Sequence, residues 1–496
     1  MTTTEQDANR WKALTVALVA GFMTLLDVSI VNVALPSIRA DLHLSAGGLQ
    51  WVLSGYALTF GLLLVPAGRF GDARGRRTVF IVGLAAFTLA SAAAGLATSS
   101  LWLVVARLVQ GAAAGVVNPQ VSGLIQQLFR PAERARPFGL LGATIGISTA
   151  VGPLLGGLLI QVFGAETGWR WIFFINIPIG AAAIALGWKW IPARRAGRRE
   201  RESLDPVGVL LLGLGVLLVL LPLVQERAWQ GQAKWLLLVA GLAVLAVFLA
   251  WERRYDRRGT PLIELRLFRV RSYGLGALIG LLYFAGFTTI FFIYTLYLQS
   301  GLGYSALQAG VAITPFALGS AAAAAAGGRI VNRYGRPLVA MGLALVVTGL
   351  GGTVLALDLV RGAGGGWAAA LPLLVAGIGS GLVISPNQTL TLAEVPVERA
   401  GSAGAVLQTG QRIGTAVGIA VVGAVFFNRL AATGNDWSSA LRTALLVTIG
   451  LVLVALAAAV ADVLAARRNG HRAPRRDGEP AGRPPSGDVA GTFRSR

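Results

Sequence analysis

Gly68-Arg69-Phe70-Gly71-Asp72-Ala73-Arg74-Gly75-Arg76-Arg77 recurs degenerately as Gly328-Arg329-Ile330-Val331-Asn332-Arg333-Tyr334-Gly335-Arg336-Pro337, an offset of 260 residues. Each copy is a short basic turn between two long apolar runs, 49–67 and 78–98 around the first, 305–327 and 338–357 around the second. Carried outward, the offset maps the first six apolar runs (13–36, 49–67, 78–98, 101–121, 138–163, 172–188) onto six later ones (273–298, 305–327, 338–357, 367–386, 401–427, 443–461) with modest drift. Two further runs, 206–224 and 235–251, stand between the sets, flanked by arginine-rich linkers at 189–202 and 252–271. The chain therefore reads as two six-helix units in parallel repeat, 1–188 and 272–466, with a pair of helices inserted in 189–271. The Pro, Gly and Arg-rich tail, 467–496, is expected to be disordered.

Each of the fourteen runs is 17 to 27 residues long. At ~1.5 Å of rise per residue that is close to what a hydrocarbon core of ~30 Å requires. With 55% hydrophobic and 13% charged residues, an all-α polytopic membrane protein is the class the composition selects, and no room remains for a sizeable soluble domain. The first run is too long for a cleaved signal peptide and lacks an obvious small-residue cleavage site before Pro36, so it is expected to stay as a helix. An even number of spans puts both termini on one side. That side's loops and tails hold 34 basic residues, the other side holds 7, and 2 lie inside spans, so both termini are expected in the cytoplasm, with the protein in the cell's inner (plasma) membrane. The same asymmetry, together with contact to anionic lipids, accounts for the net charge of +21 without a nucleic-acid partner. There is no cysteine, and the two histidines, His43 in an outer loop and His471 in the tail, cannot form a metal cluster. None of the lysines, Lys12, Lys189 and Lys234, follows a glycine, so a Walker A phosphate loop is missing. No cofactor, metal or enzymatic activity is expected.

Within the spans only Asp27, Arg107 and Arg412 are charged. Asp27 lies roughly 20 Å into its helix by counting ~1.5 Å per residue, near mid-membrane. Hydrocarbon disfavours the carboxylate and a nearby arginine restores it, so the group can be poised to load and release a proton; a static hydrogen bond between helices is the plainer alternative. Arg107, Gln110, Gly111 and Asn118 share one face of the fourth span, and Gln408, Gln411, Arg412 and Thr415 share one face of the thirteenth. Polar stripes of that kind should face water-filled space. Either arginine has the depth to partner Asp27, which leaves the other for backbone carbonyls or an electron-rich group of the cargo.

The fifth span carries Gly146, Gly152, Pro153, Gly156 and Gly157, which favour close packing and local bending. Gly404, Gly410, Gly414 and Gly418 look like their counterpart on the thirteenth. On the ninth span Phe284, Phe287, Phe291 and Tyr294 recur at helical spacing, and with Tyr56 they could line a greasy cavity or pack on neighbouring helices and lipid. The candidate cavity set is Asn32, Tyr56, Gln110, Asn118, Phe287, Phe291, Tyr294, Gln408 and Gln411.

Leu26-Asp27-Val28-Ser29-Ile30-Val31-Asn32-Val33-Ala34-Leu35-Pro36 resembles the first-helix signature of the fourteen-span drug:proton antiporters of the major facilitator superfamily. The loop at 68–77, Arg107 with Gln110-Gly111 and Gly115, the Gly146 to Gly157 segment, and Trp169-Arg170-Trp171-Ile172-Phe173-Phe174-Ile175-Asn176-Ile177-Pro178 agree with it in order and position. The resemblance implies the major facilitator fold and alternating access between two bundles. It makes Arg107 the arginine that assists proton movement at Asp27, and the fifth-span glycines a motif usual in exporters. It also makes Gly68, Asp72, Gly75, Arg76 and Arg77 a cytoplasmic gate, with Asp72 facing the start of the thirteenth helix near Gly401. Two positions depart from the family's pattern, Phe70 for its leucine and Ala73 for the arginine often found after the aspartate. The expected activity is proton-coupled export of lipophilic neutral or cationic drugs or antibiotics by a monomer. Alternatives are a dedicated exporter of one metabolite, a nutrient importer, or a sensor or scaffold built on a transporter fold.

Overall fold

A computed structural model describes residues 3–164, 166–193, 205–224, 229, 231–257, 261–360 and 362–470. Fourteen helices are long and apolar enough to cross a membrane, and no strand occurs among the described residues. In chain order they are α1 Thr3–Leu42, α2 Ala46–Arg74, α3 Arg76–Gly95, α4 Ser100–Leu128, α5 Ala135–Phe163, α6 Gly168–Trp190 and α7 Pro206–Val224. They continue as α8 Lys234–Tyr255, α9 Arg271–Leu296, α10 Ala306–Tyr334, α11 Arg336–Leu359, α12 Ala370–Thr391, α13 Ala400–Ala432 and α14 Trp437–Gly470. The protein is a multi-pass membrane protein.

Apolar runs drive these helices, and punctuation residues set their ends. Ser45, Ser99 and Ser305 accept backbone N–H bonds from Gly48, Trp102 and Gln308, satisfying donors that a helix start leaves orphaned. In the two repeat loops the chain turns at Gly75 (φ 106°) and Gly335 (φ 59°), conformations that a Cβ would strain, so α2 passes into α3 and α10 into α11 with one residue between. Most helices outrun the sequence estimates because an apolar run marks hydrocarbon thickness while the helix continues into the interface: α4 reaches Leu128 and α14 reaches Gly470. The tail expected from 467 is therefore helical through Gly470, and the rest of it lies outside the described residues. The sixth span is broken at Ile175 into Gly168–Phe174 and Asn176–Trp190.

In the first half α2 and α3 pack on α4 and α1 packs on α5; in the second, α10 and α11 pack on α12 and α9 packs on α13. The halves meet where α5 lies along α10 and α2 along α13, and the inserted α7 and α8 pack on each other with α7 reaching α2 and α13. Each half holds an apolar core, around Phe80, Phe87 and Phe138 in the first and Ile290, Phe316 and Phe426 in the second. Large apolar side chains such as Leu89, Leu101, Leu210 and Leu371 point outward, the surface that lipid covers.

Candidate transport site and gate

Asp27 is only 1% exposed, at the junction of α1, α2, α4 and α6. Arg107 Nη1 forms a short charge-assisted hydrogen bond to Asp27 Oδ2 and another of 2.7 Å to Gln110 Oε1, while its Nε donates to the Val52 carbonyl at 3.1 Å. Gln110 Nε2 donates to Asp27 Oδ1 at 2.8 Å and to Ser91 Oγ at 3.1 Å, and Asn176 Nδ2 reaches Ser91 Oγ at 2.9 Å. The Arg107 guanidinium also lies over the Tyr56 ring at 4.3 Å, with Phe173 at 5.7 Å. Close approach of α4 to α2 makes this possible: a Cβ on Gly111 would stand 2.2 Å from the Tyr56 carbonyl. Both carboxylate oxygens thus have donors, and removing one partner would leave an uncompensated buried charge, at about 3–5 kcal/mol.

Of the candidate cavity residues, Tyr56 and Gln110 belong to this cluster, and Asn118 stands one tier away, donating to Thr24 Oγ1 at 3.0 Å. The Tyr56 hydroxyl donates to the Thr24 carbonyl at 2.9 Å. Asn32 is exposed and bends back to the Val28 carbonyl. Of the ninth-span aromatics, Phe284 and Phe291 are half-buried, while the other two turn into the second half. Phe287 is buried and meets Phe291 and Phe316, while Tyr294 is buried with its hydroxyl on the Gly366 carbonyl, 2.9 Å away. Their helical spacing marks the face that packs inside the second half. Gln408, Gln411 and Arg412 are half-buried on α13, and Arg412 rests on the Phe60 ring at 4.2 Å instead of reaching Asp27.

At the end of the molecule bearing the basic loops, Asp72 on α2 crosses to the start of α13. Its Oδ1 accepts from Gly401 N at 3.1 Å and its Oδ2 from Ser402 N and Ser402 Oγ, both at 2.8 Å. The helix's unpaired first N–H groups and its dipole both favour a carboxylate there. Arg76, one turn on, bonds Asp72 Oδ1 at 2.8 Å, the Val397 carbonyl at 2.6 Å and Gln127 Oε1 at 3.1 Å. Gly68 lets the backbones meet, since a Cβ there would lie 2.7 Å from the Gly401 carbonyl. Gly75 supplies the turn, and Arg77 instead caps α6 through the Trp188 carbonyl, over whose ring it sits at 4.6 Å. A cavity of about 180 Å³ opens beside the clamp, lined by Asp72, Arg76, Gln127 and Glu398.

The α5 motif divides its contacts. Gly146 faces Ala317 and Ala321 of α10, Gly152 and Gly156 face Ser29 and Ile30 of α1, Pro153 lies against Gly310, and Gly157 borders open space. Trp169 and Arg170 anchor α6 at the opposite end, both donating to Asp41 Oδ2 at 3.0 Å. Sequence reasoning missed Ser91, which joins Gln110 to Asn176, and Ser402, which doubles the grip on Asp72. A lone hydroxyl within an apolar run and one beside a helix start were their only signals.

A bundle of membrane helices in two similar halves, with a buried ion pair inside and a polar clamp between them at one end, defines a transporter. The chain belongs to the Major Facilitator Superfamily, whose profile matches residues 17–419. It is similar to the probable actinorhodin transporter of Streptomyces coelicolor (39% identity, 88% of this chain and 77% of that one). It is also similar to the puromycin resistance protein pur8 of Streptomyces alboniger (35%, 92% and 90%). The crystal structure of the human organic anion transporter MFSD10 has the same fold, with a TM-score of 0.65 at 17% identity over 91% of this chain and 99% of that one. It is a transporter and not an enzyme.

Proposed function

We propose that this protein is a proton-coupled exporter of lipophilic small molecules of the drug or antibiotic type, set in the plasma membrane with its basic end in the cytoplasm. The observation that carries the reading is the Asp27–Arg107 pair, a carboxylate and its counter-ion sealed at mid-depth with both oxygens bonded. Relatives named for the transport of, or resistance to, antibiotics support export, and the 34-to-7 distribution of basic residues supports the orientation.

Protonation of Asp27 discharges one partner of the pair and frees Arg107, so the two protonation states favour different packings of α1 and α4. The Asp72 clamp holds the cytoplasmic end shut, and its release lets the halves rock about the α5–α10 and α2–α13 seams. Magnitudes constrain the sequence of events. Each of the three bonds from α13 to the Asp72 carboxylate is worth about 1.5–3 kcal/mol, whereas one charge crossing 100 mV supplies ~2.3 kcal/mol. Entry of a single proton therefore does not open this end unless cargo binding or new contacts at the other end offset the loss.

The test is accumulation in drug-sensitive cells challenged with a chemically diverse panel. Expressing cells should retain less of some compounds than vector controls, and an uncoupler should erase the difference. A difference that survives collapse of the proton gradient contradicts coupling, and no difference for any compound contradicts export.

A further inference from the structure

Two arginines lie inside the spans, and their surroundings are opposite. Arg107 is bonded to Asp27, Gln110 and the Val52 carbonyl. Arg412 sits on α13, twelve residues from the helix start at Ala400 and so ~18 Å deep at ~1.5 Å per residue. Its contact is the face of Phe60, 4.2 Å from guanidinium carbon to ring centroid. Among the described residues no carboxylate, carbonyl or hydroxyl accepts a hydrogen bond from it. The side chain is half-buried and not sealed. The neighbouring Gln408 and Gln411 are half-buried, and a Cβ added at Gly410 would meet nothing within 4 Å, so this stretch of α13 borders open space. The guanidinium is a fork of donors at mid-depth, reachable by water and without an anion.

A ring face compensates a desolvated cation only in part, and the geometry of an arginine fork matches a carboxylate bidentately. We propose that Arg412 anchors an ionised acidic group on the cargo, so that the exported compounds are lipophilic organic acids carrying a carboxylate or phenolate. The inference rests on the export reading above and names its substrate class. It reverses the sign of the cargo expected from the sequence, which was neutral or cationic. Asp27 is neutralised by Arg107, so a cation entering the site finds no free carboxylate and meets the field of Arg412. Tyr56 and Phe60, stacked at 6.0 Å between centroids, stand between the arginines, with Arg107 on one ring and Arg412 on the other. Cargo charge and proton thus occupy separate positions, coupled through the access equilibrium and not by displacement. An inside-negative potential drives such an anion outward.

The test uses the full-length protein in proteoliposomes and three fluorescent probes of one shape: 9-anthracenecarboxylate, its carboxamide, and 9-anthracenemethylammonium. Wild type should bind and counterflow the carboxylate about ten times better than the amide, with the ammonium weakest. Arg412→Gln should lose the tenfold preference while its melting temperature in detergent, which reports correct folding, stays that of wild type; Arg412→Lys should keep part of the preference. A carboxylate preference that persists in Arg412→Gln, or wild-type transport favouring the ammonium, overturns the assignment while leaving export intact. If wild type moves none of the three probes, and the panel above also shows no efflux, export itself fails and the assignment with it.

Discussion

The two halves solve the same packing problem with opposite chemistry. The 260-residue offset places Phe287 where the first half has Asp27 and Phe316 where it has Tyr56. Gly111 lies against the Tyr56 backbone and Gly377 against that of Phe316, so the residue four earlier, Arg107 in one half, is Leu373 in the other. A polar cluster of aspartate, arginine and tyrosine thus corresponds to an apolar one in which Phe287 and Phe316 meet at 6.0 Å and Leu373 is 2% exposed. The basic loops diverge likewise. Asp72 takes three bonds across to α13, whereas its counterpart Asn332 donates one, to the Ala132 carbonyl. Arg76 and Gln127 have counterparts in Arg336 and Asn387, bonded to each other in both halves, but Arg336 pairs with Asp462 inside its own half and not across the seam. A buried ion pair at mid-depth is therefore not needed to hold such a bundle together.

The largest effect should come from breaking the buried pair. Arg107→Leu, copying the second half, leaves Asp27 without its counter-ion and should cost about 3–5 kcal/mol, read as a lowered melting temperature in detergent. The double variant Asp27→Leu/Arg107→Leu should recover most of that loss while gradient-driven efflux stays absent; a double variant as unstable as the single would mean that the pair is chiefly structural. Next comes the clamp. Asp72→Asn makes the first loop resemble the second and should weaken the closed state by about 1.5–3 kcal/mol. In this cysteine-free chain the change can be followed at Ser122→Cys, a near-isosteric probe buried against Gly404. Its labelling from the basic side should speed up by roughly tenfold or more, since ~1.4 kcal/mol is one factor of ten; an unchanged rate would remove Asp72 from the gate. Smaller still, Gly146→Val forces a side chain against Ala317 and Ala321 of α10 and should cost about 1–3 kcal/mol. Gly157→Ala, facing open space, and Asn332→Ala should each stay within about 0.5 kcal/mol in thermal unfolding.

The number of helices, their pairing into halves and the inserted pair were legible because a run of apolar residues and a 260-residue echo both survive in one dimension. Asp27, Arg107 and Asp72 were legible as charges in costly or motif positions. Whether Arg107 or Arg412 meets Asp27 was not, because depth along a helix does not fix its rotation against four neighbours. The same limit left Tyr294 open between the packed and the open side of α9, since its helical spacing is equally compatible with both. Ser91 and Ser402 escaped notice because a hydroxyl announces its role only through partners distant in sequence.

The central claim is that Asp27 exchanges a proton as cargo leaves, and it is tested most directly in everted vesicles acidified inside, followed with a fluorescent reporter of the pH gradient. Adding an exported compound should dissipate the gradient with the wild-type protein and leave it unchanged with Asp27→Asn. Equal dissipation by both proteins would contradict the account.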